Sequence, residues 1–95
     1  MKVYIAGPMS AALHDYKERF NAAADQLREA GHVVMNPAIL PLGFEHHEYL
    51  RICRVMIEVC EAVYFLPGWE DSPGSQLEYQ HAEYHAKVIR FWRPE

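Results

Sequence analysis

Short apolar runs alternate with longer stretches of three- and four-residue spacing along the 95-residue chain. The first run, Lys2 to Ala6, has the length of a strand and is followed by Gly7-Pro8. From His14 to Glu29 the pattern is helical. Tyr16, Phe20, Ala23, Ala24 and Leu27 recur on one side, while Lys17, Glu18, Arg19, Asp25 and Arg28 fall mostly elsewhere. Ala30-Gly31 ends that helix with a glycine suited to a left-handed cap. His32 to Asn36 predicts a second strand, and Pro37 to Phe44 a loop with two prolines. Glu45 to Val59 predicts a second helix with the stripe Tyr49, Ile52, Cys53, Met56 and Cys60. Ala62 to Leu66 is apolar throughout, as expected of a strand covered on both faces. A loop from Pro67 to Pro73, a third helix from Gly74 to Ala86 and a strand from Val88 to Trp92 complete the chain.

Strands that alternate with helices predict an α/β domain with a parallel sheet and right-handed crossovers. One domain over residues 1–95 is expected, with three layers, four parallel strands and strand order 2-1-3-4. In such sheets ligands bind beyond the carboxyl ends of the strands, where strand order reverses. Two loops leave suitable ends: Gly7-Pro8-Met9-Ser10 after the first strand, and Gly68 to Ser75 after the third. Glu78 then stands one helical turn inside the cleft. A structural role competes with that placement, because Ser75-x-x-Glu78 has the spacing of a capping box at a helix start.

Composition narrows the partners. Formal net charge is −4 and the isoelectric point about 5.8, which argues against nonspecific binding to nucleic-acid phosphates. Small anions remain compatible, because helix N-termini bind phosphate without Lys or Arg. No apolar run approaches the ~20 residues of a membrane span. Met1 to Ala6 is too short for a signal-peptide core, so a cytoplasmic protein is expected. Cys53 and Cys60 lie seven residues apart on one helix, roughly 10 Å at ~1.5 Å per residue, too far for a disulfide. Both are expected to be reduced and at least partly buried.

Other candidate groups admit two readings. Gly7-Pro8-Met9-Ser10 lacks the lysine of a P-loop and the spaced glycines of a dinucleotide fingerprint, and is either an ordinary turn or a short phosphate- or sugar-binding loop. Tyr4 is either a core aromatic or a hydroxyl that orients a carboxylate in the cleft. His81 and His85 are four apart, a chelating spacing, but no third ligand is evident, and neither a metal nor a cofactor is assigned. A solvated or subunit-contacting face is preferred for them. His46-His47 opens a helix and is expected to be neutral, exposed or near the cleft.

The segments "VYIAGPMS", "REAGHVVMNPA" and "EAVYFLPGWEDSPGSQLEYQHA" together resemble the nucleoside 2-deoxyribosyltransferase superfamily, in particular its small phage and bacterial branch with a GPM…LPGWE-S-G…E pattern. The resemblance covers nearly the whole chain. It implies a flavodoxin-like fold and cleavage or transfer at the N-glycosidic bond of deoxynucleosides or their 5′-monophosphates. It further implies Glu78 as nucleophile, Tyr4 as the residue that positions it, and Gly74 and Ser75 as the turn before it. Ser72 stands where the transferases carry an aspartate, and serine there is similar to the deoxynucleoside-monophosphate N-glycosidases, where it helps hold the 5′-phosphate. The family's second aspartate falls at Cys53, and a thiol of ordinary pKa ~8.5 is a poor acid for a leaving base. Either Asp71 takes that role, or the reaction is slow, or the protein binds nucleotides without cleaving them. Trp69 is either a platform for the base or a hinge aromatic.

The residues thus predict a nucleoside or nucleotide as small-molecule partner. A noncatalytic nucleotide-binding or sensing module is the rival, and Cys53 favours it. A subunit-association domain is a weaker third reading. A homodimer or higher homo-oligomer is expected, because the shallow cleft needs closing and Tyr79, His81, Tyr84 and His85, with Phe91-Trp92, offer aromatic surface.

Overall fold

A computed structural model of the chain describes residues 1–9 and 15–94. Four strands, β1 (Lys2–Ala6), β2 (Val33–Met35), β3 (Ala62–Phe65) and β4 (Val88–Phe91), form one sheet. All three pairings are parallel and the order is β2-β1-β3-β4, as the alternating pattern predicts. Helices α1 (Tyr16–Glu29), α2 (His46–Val59) and α3 (Pro73–Tyr84) make the crossovers.

Side-chain alternation along β1 decides the layering. Val3 and Ile5 point to a core with Phe20, Ala23, Ala24 and Leu27 of α1. Tyr4 and Ala6 point to the opposite core, with Cys53 and Ile57 of α2 and Ala82 of α3. The apolar β3 feeds both layers: Ala62 joins the first core, and Val63 and Phe65 the second.

The stripe of α2 is rotated from its predicted position. Cys53 and Ile57 are its buried residues, Met56 is half-buried, and Ile52 is exposed. Ile57 is one residue beyond Met56 and takes the place at the sheet. The helix opens with Glu45 as N-cap, whose N–H donates to the Glu48 carboxylate at 2.7 Å.

The largest correction concerns the start of α3. The predicted capping box at Ser75 and Glu78 does not form. Ser72 is the N-cap, and its Oγ accepts from the Ser75 N–H at 3.3 Å. Pro73 occupies the first helical position, where its fixed φ and missing N–H cost nothing. The helix therefore begins earlier than predicted, and Ser75 and Glu78 are both buried inside it. The loop after β3 contains a 3-10 turn, Trp69–Asp71, entered through left-handed Gly68. A second 3-10 turn, Pro37–Ile39, follows β2 and is capped by buried Asn36, whose side chain accepts from the Ala38 N–H.

The loop after β1 lies close against the end of β3. A Cβ on Gly7 would stand 3.0 Å from Leu66 Cβ, tighter than ordinary contact, so glycine lets the two loops meet at the sheet's switch point.

Candidate active site

Freed from capping, Glu78 points off α3 toward the sheet. Its Oε2 accepts a hydrogen bond from the Tyr4 hydroxyl on β1, 74 positions earlier. Tyr4 is 1% exposed and Glu78 8%, so the pair sits at the bottom of the molecule's cleft, largely out of water. Burial pushes the Glu78 carboxyl up to about 7, and the hydrogen bonds from Tyr4 and Cys53 hold it down against that push. Burial, and then the charge of Glu78, drive the Tyr4 phenol well above its ordinary value, so it stays a donor. Burial pushes the Cys53 thiol up to about 11. The group is one carboxyl balanced between its two forms near neutrality, beside two protonated donors.

Above the pair opens a cleft of about 780 Å³, within the usual size for small-molecule sites. Gly7 and Met9 approach from the β1 loop, and Tyr16 and Lys17 from α1. Leu40, Leu42, Gly43 and Phe44 form the wall that follows β2. His46, Tyr49, Leu50 and Cys53 come from α2, and Ser72 to Ser75 with Glu78 from the start of α3. Tyr49 secures the wall: its hydroxyl donates to the Pro41 carbonyl at 2.6 Å and accepts from the Phe44 N–H at 3.2 Å. The Tyr49 and Phe44 rings meet edge to face, 5.9 Å between centroids.

The N-terminus of α3 offers the polar end of the cleft. Ser75 is 1% exposed, and among the described residues its Oγ has no hydrogen-bond partner. A buried hydroxyl without a partner is costly unless a ligand satisfies it. The helix dipole favours an anion at the same place.

Of the residues singled out in the sequence, Gly7, Met9, Cys53, Ser72, Gly74, Ser75 and Glu78 line the cleft, and Tyr4 supports it from behind. Pro8 belongs to the β1 loop but not to the lining, and Ser10 lies outside the described residues. Trp69 does not line the cleft. Its ring stacks on Tyr79 at 5.0 Å and packs against Phe65 and Phe91. Asp71 ends the 3-10 turn, exposed and away from the lining. Sequence reasoning missed Lys17, Phe44, Tyr49 and the rest of the wall after β2. Lys17 read as the polar side of an amphipathic helix, and the wall had no motif. Away from the cleft, Glu58 stands beside His81 and His85, a third donor that linear spacing did not reveal.

The family model described as "Domain of unknown function (DUF4406)" matches residues 1–91. No curated protein matches the chain. Among solved structures, the 2-desoxiribosyltransferase from Leishmania mexicana superposes with a TM-score of 0.75 over 96% of this chain, at 19% sequence identity. The chain spans 63% of that protein's length. The two share a fold, the one that the sequence motifs implied.

Proposed function

The chain belongs to the DUF4406 family, and from that premise and the geometry of the cleft we propose that it cleaves or transfers at the N-glycosidic bond of nucleosides or their 5′-monophosphates. The carrying observation is the buried Glu78 carboxylate, held by the Tyr4 hydroxyl on the floor of a nucleotide-sized cleft at the sheet's switch point. The fold shared with a 2-desoxiribosyltransferase supports the same chemistry.

In this mechanism an Oε of Glu78 bonds to the anomeric carbon as the bond to the base breaks. The base leaves with that electron pair and takes up a proton. The glycosyl ester on Glu78 is then opened by water, giving hydrolysis, or by a second base, giving transfer. Tyr4 keeps the carboxylate aimed and favours its charged form. Phe44 and Tyr49 offer the base an aromatic wall in place of Trp69. Ser72 and Ser75 at the start of α3, with His46 beside Gly74 and Lys17 also in the lining, suit a 5′-phosphate. The test is incubation with a panel of nucleosides and 5′-monophosphates, with released base separated by chromatography. Base release is expected, faster from monophosphates than from the matching nucleosides.

Because Glu78 must be ionised to attack, base release should fall toward acid with a midpoint near pH 7. Tyr4→Phe removes a hydrogen bond that lowers the Glu78 pKa, so the acid limb should move to higher pH. Turnover on the plateau should drop by roughly 10²-fold, the usual effect of losing one preorganised donor. A pH–rate profile of both proteins measures this. An unshifted limb in Tyr4→Phe counts against the pairing.

One observation favours a noncatalytic nucleotide-binding module. Cys53, where the family resemblance implies a carboxyl acid, has a thiol pushed up to about 11 that holds its proton at neutral pH. Binding of monophosphates without base release at any pH is the outcome that selects this reading.

The proposed working unit is a homodimer. Of the aromatic face expected on α3, Tyr79 is packed under Trp69 and the histidines turn to Glu58, which leaves Tyr84 exposed. Ile52, Val55 and Val59 on α2 are exposed as well. Light scattering at micromolar concentration should give twice the 11.0 kDa chain mass. A monomer with full activity removes the interface.

A further inference from the structure

We propose that Glu58, His81 and His85 form a divalent-metal site, of zinc type, that staples α2 to α3. One ligand atom from each residue lies within 4.8 Å of the others. Glu58 Oε2 is 2.9 Å from His81 Nε2 and 3.8 Å from His85 Nε2. Donors that share a zinc ion at ~2.0–2.2 Å stand roughly 3.3–3.5 Å apart when arranged tetrahedrally. The observed spacings bracket that value, so closing on an ion needs only small side-chain movements.

The chemistry of the donors points the same way. Two imidazole nitrogens converge on one carboxylate oxygen. His81 Nε2 is within hydrogen-bond distance of that oxygen, whereas His85 Nε2, at 3.8 Å, faces the same point without bonding to it. A cation at the convergence satisfies all three. Two imidazoles and a carboxylate are a zinc donor set, and an open fourth position facing water would complete it. The side chains are 19%, 34% and 43% exposed for His81, His85 and Glu58, enough for an ion to enter. The rings are held in place. His81 and His85 meet edge to face at 4.5 Å, and Tyr84 packs its edge on His85 at 5.1 Å. Lys87 is the positive group at this corner, and its Nζ donates to the Glu58 main-chain carbonyl at 2.9 Å, which fixes the end of α2.

The placement gives the site a role. Glu58 is five residues after Cys53 on α2, and His85, the C-cap of α3, is seven after Glu78. His85 therefore lies on about the same side as Glu78 and roughly 10 Å further along α3 at ~1.5 Å per residue, so the donors stand at one end of the α2–α3 contact and Glu78 at the other. An ion there fixes the spacing of α2 and α3 and supports the floor of the cleft without touching substrate.

The full chain, stripped with EDTA, is titrated with Co²⁺ and followed by visible absorption, then with Zn²⁺ and followed by thermal melting. One Co²⁺ per chain with the intense bands of a tetrahedral site is expected. Zn²⁺ should displace it and raise Tm by roughly 5–15 °C at saturation. Glu58→Gln and His81→Ala should lose both signals, and His47→Ala should keep them. Circular dichroism verifies that each variant is folded. Glu58→Gln is a near-isosteric change at an exposed position, so it reports even if a histidine variant unfolds. No Co²⁺ bands in the wild type, or equal bands in Glu58→Gln, overturns the site. An ordinary ion pair predicts that Glu58→Gln lowers Tm by the same amount with and without metal, and that result overturns it too.

Discussion

Glu78→Gln should lower base release by roughly 10⁴-fold or more, the scale of losing a nucleophile, and at the same time stabilise the protein above neutral pH. Glutamine keeps the shape and still accepts from the Tyr4 hydroxyl, but it cannot form the glycosyl ester and carries no charge. The stability half follows from linkage. Folding raises the Glu78 pKa from an ordinary 4.5 to about 7, so the folded chain binds that proton more tightly. The contribution is full below about pH 4.5 and is lost as pH rises through about 7. At pH 8 the wild type bears the cost of a buried carboxylate, on the order of 2–3 kcal/mol, and Glu78→Gln does not. Thermal melts at pH 4.5 and pH 8 should converge at the first and separate at the second, with the variant higher. A variant that is inactive and also less stable at pH 8 points to a structural role for the carboxylate.

Cys53→Asp should raise turnover by at least about tenfold, a modest part of the 10²–10⁴-fold that a positioned general acid supplies. Cys53 lies in the cleft against Glu78, and as a thiol held near 11 it gives up no proton to a leaving base. A second carboxyl there shares one proton with Glu78, because two like charges at that distance resist joint ionisation. One of them is then an acid while the other attacks. The change should cost about 1–3 kcal/mol, the penalty for an imperfectly paired buried polar group. Single-turnover rates over a series of bases should gain most for the poorest leaving groups. Unchanged rates in a folded variant place the proton source elsewhere.

The fold was legible because each element carries its own signal. Tyr16, Phe20, Ala23 and Leu27 keep helical spacing, and the unbroken apolar run at β3 marks a strand with both faces covered. Where two local signals competed, the sequence misled. Ser75-x-x-Glu78 has capping spacing, but Ser72-Pro73 offers a cap followed by a proline suited to the first position, and the helix starts there. The α2 stripe was displaced because Met56 and Ile57 are both apolar, and only the helix's rotation against β1 and β3 chooses between them. The Tyr4–Glu78 bond joins residues at opposite ends of the chain, so strand order could bring Tyr4 and Glu78 to one cleft but left Tyr4 as either core aromatic or carboxylate partner, and the family resemblance chose the second. Glu58 escaped notice for the same reason: its partnership with His81 and His85 depends on how α2 lies beside α3. Trp69 had an even choice between base platform and exposed hinge aromatic and is neither: its stack on Tyr79 follows from how the 3-10 turn folds over Phe65.

The most direct test of Glu78 as nucleophile is to quench the protein during turnover with its best substrate and map the covalent product by mass spectrometry. The account predicts a sugar, or sugar phosphate, esterified to Glu78 and absent from Glu78→Gln. Base release that continues undiminished in Glu78→Gln, or an adduct on another residue, contradicts it.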